Sequence, residues 1–188
     1  METKEEILEL VNQYIKNFSD EKDSTVSLTR FVDAHTGDEL IDRKNFAGHI
    51  TTSAFIINEN ANALLLLKHK SLNRWLQPGG HVDATDASLT ASALREACEE
   101  TGLDTQDLEL LSNSIFDINS HHIPENPRKQ EPFHFHHDIR YLFKCLHARP
   151  LNISLEESTD SKWILFEELD VDKDFGAVIK KIKAAPGF

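Results

Sequence analysis

Three glutamates, Glu96, Glu99 and Glu100, stand at i, i+3 and i+4 in the run Arg95-Glu96-Ala97-Cys98-Glu99-Glu100-Thr101-Gly102. On a helix this spacing puts three carboxylates on one face within a single turn. Like charges so placed destabilise a bare helix by roughly 0.2–0.5 kcal/mol per pair, so a counter-charge is wanted. A hard, oxygen-seeking divalent cation supplies it: Mg²⁺ first, with Mn²⁺ as the alternative. A solvated acidic helix face is the plain reading in a chain this acidic. The Pro78-Gly79-Gly80 turn upstream and the Glu-Glu-x-Gly ending favour the metal.

The element that must carry these carboxylates is predicted over Ser88–Thr101, which is rich in Ala, Leu, Arg and Glu and free of Pro and Gly. Asp86 or Ser88 serves as N-cap, and Gly102 sits where a left-handed C-cap is wanted. Arg95 is expected to be structural, pairing with Glu99 one turn on or with Asp86 in the preceding loop, and so orienting the carboxylates.

The 188 residues suffice for one domain with a proper core, or a domain plus a small extension. The net charge of −12 argues against a nucleic-acid backbone as partner but not against a small anionic substrate, because bound metal inverts the local field. No segment approaches a membrane span. The opening Met1–Glu6 is mostly polar and no basic-plus-apolar leader follows. The two cysteines, Cys98 and Cys145, build no disulfide framework. Together these features point to the cytoplasm, with Cys98 packing rather than attacking.

In chain order, Ile7, Leu10, Val11, Tyr14 and Phe18 predict an amphipathic helix over residues 5–18. The polar gap Ser19–Asp23 precedes a second helix at Ser24–Ala34, and Gly37-Asp38 marks a turn. Residues 1–47 therefore read as an N-terminal helical extension, simplest as a cap, with a role in homodimer formation or substrate covering left open. Residues 48–188 form the main domain. Strands are expected at Ile50–Ile57, Ala63–Lys68, Leu108–Ile118, Phe133–Cys145 and Lys162–Phe166, with a loop over Ser120–Pro132 and a last helix at Asp174–Ala184. Trp75 is taken as a packing anchor, and Trp163, Phe166 and Leu169 as core.

Five of the ten histidines cluster: His121, His122, His134, His136 and His137. Period two along the strand puts His134, His136, Asp138 and Arg140 on one side, and Asp117, Asn119 and His121 share a face upstream. Two His at i, i+2 plus Asp is a workable zinc set, but no cysteine lies nearby. A substrate wall is preferred, with imidazoles and Arg140 binding phosphate, ribose or base. A half-exposed strand of ordinary polar residues accounts for the same pattern.

The stretch from Gly80 to Leu103 resembles the Nudix box, G-x5-E-x7-R-E-U-x-E-E-x-G-U with U aliphatic. Arg95, Glu96, Glu99, Glu100, Gly102 and Leu103 are in register. Asp86 stands at the first glutamate position, and eight residues rather than seven separate it from Arg95, a one-residue lengthening of the loop. The runs Gly48-His49-Ile50-Thr51, Gln77–His81 and H-x-H-x-D-x-R are similar to a bacterial branch of Nudix hydrolases with an N-terminal helical extension. The resemblance implies an α/β/α sandwich with a mixed β-sheet. It also implies Mg²⁺-dependent cleavage of the phosphoanhydride in a nucleoside diphosphate linked to another moiety. Carried over by position, Glu96, Glu99, Glu100 and the Gly80 carbonyl hold the metal. The general base is Glu96, or else Glu156 or Glu157 in a downstream loop. A non-catalytic nucleotide-binding module with a regulatory role, and an isomerase on the same fold, are the rival readings.

Overall fold

The computed structural model describes residues 1–127, 130–147, 149–169 and 171–185. Its elements in chain order are α1 (Lys4–Asn17), α2 (Val26–Ala34), β1 (His49–Ile57), β2 (Ala63–His69), β3 (Arg74–Leu76), β4 (Gly79–His81) and α3 (Leu89–Thr101). They continue as β5 (Leu108–Leu110), β6 (Asp117–Ile123), β7 (His134–Cys145), β8 (Ser158–Leu165), α4 (Phe166–Leu169) and α5 (Gly176–Ala184). Contacts group them into two compact units, and β1, α3 and β7 each contribute to both.

The first unit comprises Met1–Ser53, Gly79–Glu96 and Ser112–Tyr141. α1 begins with a capping box in which the Thr3 hydroxyl accepts from the Glu6 amide and the Glu6 carboxylate accepts from the Thr3 amide. The helix buries Ile7, Val11 and Tyr14, one turn apart on one stripe. The polar gap is not a bare connection. Ser19–Thr25 forms a 3₁₀ helix, and the Tyr14 hydroxyl donates to Glu21 inside it. Leu28, Phe31 and Val32 make the buried side of α2, as their spacing predicts, and Phe31 stacks on His137 of β7. The N-terminal segment also reaches α3: the Glu2 carboxylate accepts from the Leu89 amide at 2.9 Å, one of the donors a helix start leaves without an internal partner.

Two strand pairings complete this unit. β4 runs antiparallel to β1, with Thr51 opposite His81, Thr52 opposite Gly80 and Ser53 opposite Gly79. The Pro-Gly-Gly stretch is thus half turn and half strand. β6 runs antiparallel to β7 from Asp117–Arg140 to Ile123–His134. The single strand expected at Leu108–Ile118 is therefore two, β5 and β6, and the expected loop begins only after Ile123. The Ser112-Asn113-Ser114 stretch interrupts the apolar pattern, and β6 draws its stability from pairing with β7 rather than from its own composition. Arg128 and Lys129, in the expected loop, lie outside the described residues.

The second unit comprises Ala54–Pro78, Ala97–Leu111 and Leu142–Phe188. β2 is its centre: Ala63–Leu67 is fully buried, as the longest apolar run predicts, and β2 pairs antiparallel with the end of β1, with β3 and with β8. β5 pairs with the end of β7. Phe166 and Leu169 are buried in the short helix α4, which begins at the residue where the expected last strand ends, whereas Trp163 is only half-buried. Trp75 is also half-buried, with the Lys68 ammonium 5.7 Å from its ring. α5 buries Val178, Ile179 and Ile182.

Candidate functional site

Helix α3 has the bounds its caps dictate. The Ser88 hydroxyl accepts from the Ala91 amide at 3.0 Å, which makes Ser88 the N-cap, and Gly102 closes the helix with φ +73°. Its continuity from Leu89 to Thr101 keeps Glu96, Glu99 and Glu100 on one face by helical period. Glu96 is half-buried in the first unit, whereas in the second unit Glu99 is exposed and Glu100 is half-buried.

Asp86, free of the capping role, instead meets Arg95. The guanidinium donates from Nε and Nη2 to the two Asp86 oxygens, both at 2.9 Å, a bidentate pairing. Arg95 also donates to Glu96 Oε1 at 2.9 Å and to the His81 carbonyl at 2.9 Å. One side chain thereby ties the loop, the β4 end and the Glu96 carboxylate together. The Arg95 hydrogen bonds hold the Asp86 carboxyl below its ordinary range against the opposing effect of burial.

Gly80 lies against the same carboxylate. A Cβ on Gly80 would stand 2.6 Å from Glu96 Oε2 and 2.7 Å from its carboxyl carbon, so the strand can approach the acid this closely only without a side chain. Glycine backbone beside a carboxylate held by arginine is an oxygen-rich donor set. It suits a hard divalent cation and offers nothing to a soft one.

The second region is the face of β7. β1 presents His49, Thr51 and Ser53 at alternate positions, and β7 presents His134, His136, Asp138 and Arg140. Ser53 donates to both Asp138 oxygens at 2.8 and 2.9 Å. Arg140, read from sequence as a phosphate ligand, is committed to two carboxylates, donating to Asp138 at 2.7 Å and to Asp117 at 3.0 Å. Its side chain is 15% exposed and its charge is held by those two acids despite burial. Asp138 and Arg140 thus form a buried ion-pair network, while His136 and His134 meet at 3.3 Å between their Nε2 atoms. The sequence cluster also needs two additions: the rings of His49 and His81 lie 4.5 and 5.2 Å from that of His136, centroid to centroid. Neither was singled out as a site residue. Their meeting depends on strand register that no local pattern reveals.

Glu156 and Glu157 lie on an exposed turn of the second unit before β8. Burial pushes the Cys98 thiol up to about 11, which suits packing and not nucleophilic attack. Among the described residues no helix is long and apolar enough to cross a membrane.

Comparison with known proteins places these features in a family. The model described as NUDIX domain matches residues 48–185. A probable DHNTP pyrophosphohydrolase of Lactococcus lactis subsp. cremoris is 32% identical over 106 residues, 56% of this chain and 60% of that protein. The match therefore spans less than two thirds of the relative's length. Among solved structures, a C. elegans Ap4A hydrolase in a binary complex has TM-score 0.56 at 18% identity, covering 72% of this chain and 95% of that one. The E. coli dihydroneopterin triphosphate pyrophosphohydrolase has TM-score 0.56 at 16% identity, covering 71% and 92%. These likenesses show the fold: an α/β/α sandwich with a mixed sheet, preceded here by N-terminal helices.

Proposed function

The chain belongs to the Nudix family, and from that premise we propose that it is a Mg²⁺-dependent pyrophosphohydrolase acting on a small nucleotide-type anhydride. The family is one of hydrolases acting on phosphorus-containing anhydrides. The observation that carries the proposal is the Gly80–Glu96 contact midway along a helix whose next turn bears Glu99 and Glu100.

Glu96, Glu99, Glu100 and the Gly80 carbonyl would hold the cation, and Mn²⁺ could replace it. When bound, such an ion neutralises diphosphate charge and lowers the pKa of a water. The chain's own residues do the rest. Arg95 holds Glu96 in one orientation through the Asp86 anchor, so the carboxylate needs no reorganisation when substrate arrives. Glu96, or Glu156 or Glu157 from the second unit's exposed turn, takes the proton from the attacking water. The half-buried His136, with the buried His134 beside it, supplies polar contacts to substrate. The extension of residues 1–47 caps the domain of residues 48–188, and the absence of a long apolar helix among the described residues fits a cytoplasmic enzyme.

Because the curated relative is named for dihydroneopterin triphosphate, that triphosphate heads the substrate screen, followed by a dinucleoside tetraphosphate and ADP-ribose. Turnover with Mg²⁺ or Mn²⁺, yielding pyrophosphate or nucleoside monophosphate, supports the proposal. Binding without cleavage across the panel points to the regulatory module, and rearrangement without phosphorus release to the isomerase.

A further inference from the structure

We propose that His49, His81 and His136 form a binding site for a divalent transition metal of the zinc class, separate from the carboxylate site on α3. The three residues come from β1, β4 and β7, all within the first unit. Each offers a ring nitrogen, and the three nitrogens lie within 4.8 Å of one another, the one such group of three among the described residues.

Strand pairing builds the cluster. His81 stands opposite Thr51 in the β1–β4 pair, and His49 is two residues from Thr51, hence on the same face. His136 is two residues before Asp138, which accepts from Ser53 on that face of β1. Backbone register therefore aims three imidazoles at one point from three strands.

His49 supplies the second, independent observation. It is 1% exposed, and neither of its ring nitrogens makes a hydrogen bond of standard geometry, although the Asn45 backbone is near enough to favour its charged form. Buried polar groups carry a desolvation cost and are nearly always partnered, so a ring left this way wants a ligand. A core histidine stacked for packing alone normally keeps one nitrogen hydrogen-bonded, as His134 does: its Nδ1 donates to the Pro132 carbonyl at 2.8 Å.

The protonation state fits. Burial, reinforced by its imidazole neighbours, pushes His136 down to about 2, and burial lowers His49 as well. Neutral imidazole is the form that binds metal. In a tetrahedral site with Zn–N bonds of about 2.0–2.1 Å the nitrogens stand about 3.4 Å apart. The contraction needed is small and lies along the soft terminal torsion of the histidine side chain.

The donor set also decides which ion is taken. Three neutral nitrogens select zinc or a similar borderline ion over Mg²⁺, which prefers oxygen. Three protein ligands leave a fourth position for water or an anionic oxygen. Since His81 directly follows Gly80, the nitrogen site adjoins the residue proposed to lend its carbonyl to the harder ion.

The test titrates full-length protein, stripped with chelator and desalted, with Co²⁺ followed by visible absorption and with Zn²⁺ followed by calorimetry. Wild type and Glu99→Gln should both give the intense spectrum of tetrahedral, nitrogen-bound Co²⁺ and bind one equivalent of Zn²⁺. His81→Ala and His136→Ala should lose the spectrum and weaken Zn²⁺ binding more than about 100-fold, beyond the loss seen when a group behind a ligand is removed. Should His136→Ala fail to fold by circular dichroism, the half-buried His81 decides alone. A wild-type protein giving only the weak octahedral spectrum overturns the proposal, and so does an intense spectrum that survives in folded His81→Ala. Neither readout involves turnover, so the outcome is independent of whether the carboxylate site hydrolyses anything.

Discussion

Gly80 stands so close to Glu96 that a single methyl group at Gly80 would overlap the carboxylate, at 2.6 Å from Oε2. The overlapping atoms are the far end of a flexible side chain, which can swing aside at little cost to the fold. Gly80→Ala is therefore expected to leave thermal stability nearly unchanged while lowering kcat by about 100-fold, the usual effect of misplacing a reacting group by an ångström. Melting temperature and steady-state rate on the same preparation check both halves. A large fall in stability with normal kcat would show that Gly80 serves the strand and not the carboxylate.

Glu99→Gln and Glu100→Gln keep side-chain volume and remove charge from a helix face that is at most half-buried. Each should cut kcat by at least about 100-fold while the protein stays folded. Unchanged turnover in either variant would remove that residue from the metal set. Wild-type activity should rise between about pH 7 and pH 9, as the metal-bound water deprotonates. A steady decline over that range would contradict the assigned chemistry.

The Asp86–Arg95 pair makes acid stability a direct readout. The folded pKa of Asp86 lies below its unfolded value, chiefly through the Arg95 hydrogen bonds. As pH falls the unfolded chain takes up this proton first. The stabilisation is thus present in full above about pH 5 and is lost as pH drops through the folded pKa. Urea midpoints followed from about pH 6 to pH 3.5 should fall more steeply for wild type than for Asp86→Asn. Parallel curves would mean that the pair contributes nothing.

Arg140→Ala leaves Asp117 and Asp138 facing each other in a buried network without their cation. Removing one member of such a network costs about 3–5 kcal/mol, and Arg140→Met should be milder because the side-chain volume is kept. Urea denaturation measures both. A stable Arg140→Ala protein with a raised KM would return Arg140 to the substrate contacts that its spacing first suggested.

What was legible in the sequence follows from the range of the forces involved. Ser88 and Gly102 fix the ends of α3 through contacts within a turn, so the helix and its glutamates could be placed without tertiary information. Ala63–Leu67 was readable as a buried strand because five apolar residues in a row have no other comfortable environment. The polar strand β6 was not. Asn119, His121 and His122 carry no hydrophobic signal, and their strand exists because β7 offers them a ladder. The same limit applies to His49 and His81, which sit in motifs seen from the start but meet His136 only through the register of β1 with β4. Arg140 shows the converse. Its spacing was read correctly, yet its partners, Asp117 from another strand and Asp138 two residues back, decided what its charge does.

The hydrogen bond from the Leu89 amide to Glu2 has a practical side. The first turn of the glutamate-bearing helix is secured by a residue 87 positions earlier in the chain. Trimming that leading segment to aid crystallisation would loosen the support of the acids themselves, and an inactive truncation would then report a frayed helix rather than a missing substrate lid.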